Sequence, residues 1–340
     1  MIELTSNISK PKEKILEVKN LKKYFPLSSS HGPNAESVKA VNDISFSLYE
    51  GETYGLVGES GCGKSTTGRT LLRLLEPTDG KVFYKNQDLG KMNKRELRSM
   101  RKELQMIFQD PYSSLNPRKR IGSILEETLK IHNVGNKQTR TDRVMEILEK
   151  VGFQREHYYR YPHEFSGGQR QRIGLARAII HNPKVVICDE PVSALDVSIQ
   201  SQVINLLGEI QKEFNLTYLF ISHDLSVVRH ISDRIGVMYL GKLVEESTTH
   251  ELYSHPFHPY TKALLSAVPV ANPFIKKEKI KLVGEIPSPV NPPTGCVFHT
   301  RCPFVMDVCK KVEPQMTVIS KGHKVACHLS NIEGGVQDES

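Results

Sequence analysis

Nine consecutive residues, Gly58-Glu59-Ser60-Gly61-Cys62-Gly63-Lys64-Ser65-Thr66, carry the most specific chemistry in the chain. They fit the pattern Gly-x-x-x-x-Gly-Lys-Ser/Thr. Glycines let the backbone curl until successive N–H groups point inward at phosphate oxygens. A helix starting there adds the positive end of its dipole. Lys64 can reach the β- and γ-phosphates, and the Ser65 hydroxyl can ligate Mg²⁺. Such a loop binds a nucleoside triphosphate but does not say what the energy is used for.

Two further stretches bear on the same chemistry. Val185-Val186-Ile187-Cys188-Asp189-Glu190 is an apolar run ending in two carboxylates. Asp189 is placed to hold Mg²⁺, and Glu190 to orient or deprotonate an attacking water. Ser166-Gly167-Gly168-Gln169 is a small-residue turn opening a helix, a second anion site of backbone N–H groups. One nucleotide does not need two such sites from one chain, whereas two chains facing head to tail would use both.

Four of the six cysteines crowd the last fifth of the chain: Cys296, Cys302, Cys309 and Cys327, spaced Cys-x₅-Cys-x₆-Cys-x₁₇-Cys. In a reducing compartment such a group points to a metal site rather than disulfides. Four thiolates can hold Zn²⁺ or an iron–sulfur cluster. Zinc sites favour close Cys pairs, which this spacing lacks. His299, His323 and His328 lie nearby and read as solvated.

The elements that position these residues follow from patterning. Glu52 to Val57 reads as a short buried strand before the loop, and Thr66 to Leu75 as the helix after it. Ile15 to Phe25, the alternating Ala40 to Leu48, and Lys81 to Tyr84 read as strands of an antiparallel layer. Residues 93–180 change to helical character, with Asn93 to Glu103 charged and Arg143 to Val151 amphipathic, around a Leu104 to Phe108 strand. The apolar run at Val185 is typical of a buried parallel strand. A helix over Ile199 to Phe214, a strand over Leu216 to Ile221 and a hairpin over Ile235 to Glu246 complete an α/β core. Residues 1–14 read as a loose polar leader without a signal-peptide core. From His255 onward prolines recur, with one helix over Tyr260 to Val268.

A hydrophobic content of 38% and a charged content of 25% suit a globular domain. No apolar run approaches the 18 or so residues that span a bilayer, so the chain is expected in the cytosol. The net charge of +8 fits an anionic membrane face or nucleic acid. Without tryptophan or aromatic-interleaved basic blocks, it reads as a solvated basic surface with no nucleic-acid partner.

Taken in order, the motifs resemble those of the ATP-binding subunits of ABC transporters over about residues 15–330. Gly58 to Thr66 is similar to Walker A, Gln109 to the Q-loop glutamine, and Ser166 to Gln169 to the signature. Val185 to Glu190 is similar to Walker B, Ser193 to Asp196 to the D-loop, and His223 to the switch histidine. Phe25 matches the aromatic that stacks on adenine, and Phe165 stands where leucine is usual. The resemblance implies a P-loop NTPase fold with an antiparallel β subdomain, a helical insertion over about 93–180 and a Cys-containing C-terminal extension. It implies ATP and Mg²⁺ as cofactors, with Ser65, Gln109 and Asp189 about the metal and Lys64, Gln109, Glu190 and His223 in catalysis.

His258-Pro259-Tyr260-Thr261, Asn291-Pro292-Pro293-Thr294-Gly295-Cys296 and the cysteine tail resemble the ATPases of oligopeptide and dipeptide importers, most of all their F-type subunits. The resemblance divides the chain into an ATPase domain, 15–254, and an extension, 255–340. It implies a D-type ATPase partner, two transmembrane permease subunits and, indirectly, an extracytoplasmic solute-binding protein. It places the chain peripherally on the cytoplasmic face of the membrane. It also implies a [4Fe–4S] cluster on the four tail cysteines, with Zn²⁺ as the alternative. Two other readings compete: an importer ATPase for a metal or other small solute, and a soluble ABC-type ATPase. A non-enzymatic iron–sulfur sensor is a third, opposed by the presence of both Glu190 and His223.

Overall fold

The computed structural model describes residues 13–27, 36–110, 115–268 and 279–333. Most of the expected leader, the middle of the Leu27 to Ser37 loop, part of the Asp110 to Pro117 loop, and Pro269 and Pro273 lie outside the described residues.

Two long strands, β1 (Lys14–Pro26) and β2 (Ser37–Tyr49), pair antiparallel, with Phe25 opposite Val38. The chain then enters β3 (Thr53–Val57), the phosphate-loop pattern and α1 (Lys64–Leu71), and returns to the first layer as β4 (Asp79–Tyr84) and β5 (Gln87–Asp88). That layer is a four-stranded sheet in the order β2-β1-β4-β5.

Next come α2 (Lys94–Met100), β6 (Leu104–Ile107), and three helices, α3 (Ile121–Ile131), α4 (Lys137–Lys150) and α5 (Gly167–Ile179). α2 starts at a capping box in which the Asn93 side chain accepts from the Glu96 N–H and Glu96 accepts from the Asn93 N–H. It stops at Met100, short of the expected Glu103. The α3 helix was not foreseen, although its Ile121, Ile124, Leu125 and Leu129 form a buried stripe. Its N-terminus lacks a side-chain cap that would have marked it.

The core resumes with β7 (Val185–Asp189), α6 (Val197–Phe214), β8 (Thr217–Ser222), α7 (Leu225–Ile231) and the hairpin β9 (Arg234–Tyr239) and β10 (Lys242–Thr248). After them run α8 (Thr249–Ser254), α9 (Pro259–Ala267), α10 (Asp307–Lys311), β11 (Thr317–Ser320), β12 (His323–Val325) and α11 (Ser330–Glu333). The large sheet has eight strands in the order β11-β12-β10-β9-β3-β8-β7-β6. β9, β3, β8, β7 and β6 are parallel, and the remaining pairs are antiparallel.

The central strands β3, β7 and β8 are buried at every residue because both faces are covered. Their side chains alternate between two cores, as strand geometry requires. Leu56, Ile187, Leu219 and Ile221 pack with α1 and the antiparallel sheet. Val57, Val186, Cys188, Tyr218 and Phe220 pack with the helices on the other side. That second core also takes Cys296, Val297, Phe298 and Cys309, so the segment after residue 255 shares the sheet and the core of what precedes it.

Candidate nucleotide site

The loop from Gly58 to Gly63 connects β3 to α1. Its glycines are required where the backbone is crowded. A Cβ on Gly58 would lie 2.1 Å from the Met238 carbonyl oxygen, and one on Gly63 1.9 Å from that of Ala40. Gly63 also adopts φ +106°, which favours glycine. Lys64 is buried, and its Nζ donates to the carbonyls of Gly58 (2.8 Å) and Glu59 (3.0 Å). The ammonium therefore ties the loop together while also lining a cavity of about 520 Å³. Ser60, Gly61, Gly63, Ser65 and Thr66 line it from the loop, and Ala40, Gln109, Glu190 and His223 complete the lining.

Asp189 ends β7 and is fully buried. Burial pushes its carboxyl above the ordinary carboxylate range, opposed by a hydrogen bond from Ser65 and by the charge of Arg69. Arg69 Nη2 stands 3.5 Å from Oδ2, while Oδ1 has no hydrogen-bond partner among the described residues. A buried carboxylate oxygen without a donor, beside a hydroxyl, is a donor set that a hard cation takes. Ser65 and Asp189 thus fit Mg²⁺.

Glu190 follows in a left-handed conformation, φ +47°, unusual for a residue other than glycine. Its N–H donates to the Ile221 carbonyl (3.0 Å), and its own carbonyl accepts from Ser193 Oγ (3.1 Å). The Glu190 carboxylate lies between two groups. Oε2 accepts from Gln109 Nε2 at 3.0 Å, and Oε1 lies 3.2 Å from His223 Nδ1. Gln109 comes from the end of β6 and His223 from the end of β8, so the parallel order β8-β7-β6 brings the three side chains together.

Other expected residues stand apart. Ser166 caps α5: it accepts from the Gln169 N–H, and the Gln169 side chain accepts from the Ser166 N–H. A Cβ on Gly168 would meet Ile199 at 2.4 Å. Ser166 and Gln169 are exposed, and none of Ser166, Gly168 and Gln169 lines the cavity. Phe165 is buried, edge-on to Phe153 at 5.5 Å, so an aromatic residue there serves packing. Phe25 is half-buried under the Lys23 ammonium, 4.9 Å from its ring centre, and is not part of the cavity lining.

The tail corrects the reading of His323 and bears on that of the cysteines. Burial pushes the Cys296 thiol up to about 12 and the Cys327 thiol up to about 11, and raises that of Cys302. Among the described residues no group of three or more His, Cys, Asp or Glu is placed to hold a metal ion. Cys296, Cys302 and Cys327 are each near enough to other thiols of the set, Cys309 included, to feel their charge, and the expected [4Fe–4S] or Zn²⁺ site gains no support from this geometry. Carbon packing and ion pairing hold the tail to the sheet. His323 is not solvated but buried, its Nε2 2.7 Å from Glu245 Oε1. Glu245 also accepts from the N–H groups of Phe257 (2.8 Å) and His258 (3.0 Å).

Two residues that were not foreseen touch the loop. Tyr260 Oη accepts from the Glu59 N–H at 2.9 Å, and Arg301 forms a two-pronged pair with the Glu59 carboxylate. Their sequence separations of 201 and 242 residues left no local signal.

Comparison with known proteins agrees with this geometry. Residues 41–193 match the ABC transporter family, and residues 244–309 match the oligopeptide/dipeptide transporter C-terminal region. Among curated relatives, the oligopeptide transport ATP-binding protein AppF of Bacillus subtilis is 58% identical over 321 residues, covering 93% of this chain and 98% of its own. The dipeptide transport ATP-binding protein DppF of Escherichia coli is 50% identical over 313 residues, covering 92% and 93%. Among solved structures, a dimeric bacterial ABC transporter cassette superimposes with a TM-score of 0.62 at 26% identity, covering 69% of this chain and 99% of that one. The chain belongs to the ABC transporter family, among the ATP-binding subunits of the oligopeptide and dipeptide transporters.

Proposed function

We propose that this ATPase powers import of oligopeptides or dipeptides by a membrane transporter. The observation that carries the reading is the meeting of Gln109, Glu190 and His223 across one cavity from the phosphate loop. In that arrangement the loop amides and Lys64 hold the phosphates. Ser65 and Asp189, with Gln109, would hold Mg²⁺, which would neutralise charge developing on the phosphate oxygens. Glu190 orients and deprotonates the attacking water, and His223 and Gln109 report the γ-phosphate to the strands that carry them. Catalysis is mainly positioning and electrostatic stabilisation. No step runs through the four tail thiols.

The exposed Ser166 cap and its helix dipole complete the site of a second, homologous ATPase chain, the D-type subunit. A groove of about 320 Å³ beside β6, lined by Leu97, Met100, Phe108 and Ile131 together with Arg101 and Arg177, reaches Phe108, the residue before Gln109. It suits an apolar segment of a permease subunit, so that movement at the γ-phosphate is felt there. No helix among the described residues is long and apolar enough to cross a membrane. The reading therefore puts the chain peripherally on the cytoplasmic face, beneath two permease subunits served by an extracytoplasmic binding protein. Affinity purification of the chain from its native membranes tests this. Two polytopic membrane proteins and a second ATPase should co-purify. Recovery of ribosomes or nucleic acid instead, or of no partner, would overturn it.

A further inference from the structure

We propose that the C-terminal segment positions the phosphate loop, with Arg301 and Tyr260 setting the place of Glu59 and thereby the affinity for nucleotide. The inference rests on the reading of the loop as an ATP site and names residues beyond its motifs. Glu59 is the second residue of the loop and is held at two points. Arg301 Nη1 donates to Oε2 at 2.9 Å and Nη2 to Oε1 at 3.2 Å, a fork that fixes the carboxylate in plane and direction. Tyr260 Oη takes the backbone N–H.

Both partners are set in a rigid block. The Arg301 side chain is 8% exposed and Tyr260 is fully buried. Phe298 is fully buried and packs against Tyr239 and Tyr260, with ring centres 5.2 and 5.4 Å away. The Arg301 N–H donates to the Phe298 carbonyl at 3.0 Å, and the guanidinium sits 5.9 Å from the centre of the Tyr239 ring. Tyr239 closes β9, next to Met238, whose carbonyl limits the space at Gly58. The tail thus grips the loop from the same strand end that already crowds it.

Two consequences reach the phosphates. Lys64 Nζ donates to the Glu59 carbonyl at 3.0 Å, so moving Glu59 moves the lysine's support. A carboxylate in a loop that receives phosphates also repels them, and Arg301 is the charge that neutralises it. Arg301 is a positioning residue: it acts through Glu59 and does not line the cavity.

The test is a double-mutant cycle in the full chain, with ATP affinity read by titration in Mg²⁺ and thermal midpoint recorded without nucleotide. Arg301→Gln leaves the Glu59 carboxylate unpaired and should weaken ATP binding about tenfold. The cost should appear in KM, with kcat at saturating ATP retained. Glu59→Gln leaves one acceptor for Arg301 and removes the repelling charge, so it should weaken binding by about threefold, less than Arg301→Gln, and the double variant should return to the Glu59→Gln value. Arg301→Gln binding within about twofold of the parent, or a double variant weaker than Arg301→Gln, would overturn the proposal. If Arg301→Gln does not fold, Tyr260→Phe decides. It removes only the hydroxyl that takes the Glu59 N–H and should weaken ATP binding about threefold, whereas parental affinity would overturn the proposal. Lys64→Ala, run alongside, should abolish binding. Undiminished binding in that variant would remove the ATP reading itself, and the positioning role with it.

Discussion

Replacing Glu190 by Gln separates binding from chemistry at this site. The substitution keeps the shape of the side chain and leaves its backbone supports, the bond to the Ile221 carbonyl and the one from Ser193, untouched. Gln adopts φ +47° no less readily than Glu, so the turn should persist. The amide oxygen can still accept from Gln109, and the amide NH₂ can face a neutral His223 ring nitrogen. Folding stability should therefore change by no more than about 1 kcal/mol. The chemistry should not survive. A positioned base contributes roughly 10²–10⁴ in rate, which is about 3–5 kcal/mol of barrier. ATP binding should be as tight as in the parent or tighter, because a negative charge facing the γ-phosphate has gone. Steady-state phosphate release and equilibrium ATP binding, measured on one preparation together with its partner subunits, check both halves. Turnover within a few-fold of the parent would refute the role given to Glu190.

Two further outcomes follow from the tail. Glu245→Gln turns one of two acceptor oxygens toward a donor, either the His258 N–H or the pair formed by Phe257 and His323. The loss should be about 1–3 kcal/mol, seen as a thermal midpoint lower by about 2–5 °C and faster hydrogen exchange after residue 255. His258 gives a pH dependence: burial drives its pKa down to about 4, against about 6.5 in the unfolded chain. Between these values the unfolded state binds the proton and the folded state does not. Stability should fall as pH drops from 6.5 toward 4, by up to about 1.4 kcal/mol per pH unit, and this slope should flatten in His258→Gln.

The strand, loop and helix around Gly58 to Thr66 were legible because each has a local signature. A continuous apolar run marks a doubly covered strand, glycines mark the loop, and Lys-Ser-Thr opens the helix. Asp189 and Glu190 were legible for the same reason, as charges ending an apolar run. The direction of Glu190 was not, since φ +47° comes from the backbone bond to Ile221 on the neighbouring strand. The tail was misread where its partners are distant. β11 and β12 are four and three residues long; β12 exists as a strand through pairing with β10, 78 residues upstream in the case of Lys324 and Glu246, and β11 through pairing with β12. His323, between Lys321 and Lys324, reads as solvated because the buried carboxylate that receives it, Glu245, is not nearby in sequence. Cysteine spacing drew attention to a metal, whereas the contact with consequence for the loop is made by Arg301, the residue before Cys302.

On the proposed reading this chain carries half of a catalytic site, with the phosphate loop on one chain and the Ser166 cap serving another. ATP hydrolysis measured against assembly state tests it most directly. A strictly monomeric preparation should bind ATP yet turn it over only marginally. Turnover should rise when the homologous ATPase subunit is added, and Ser166→Arg in this chain should cut that rise, because the cap that completes the site on the other subunit is lost. Full, concentration-independent hydrolysis by the monomer would contradict the claim.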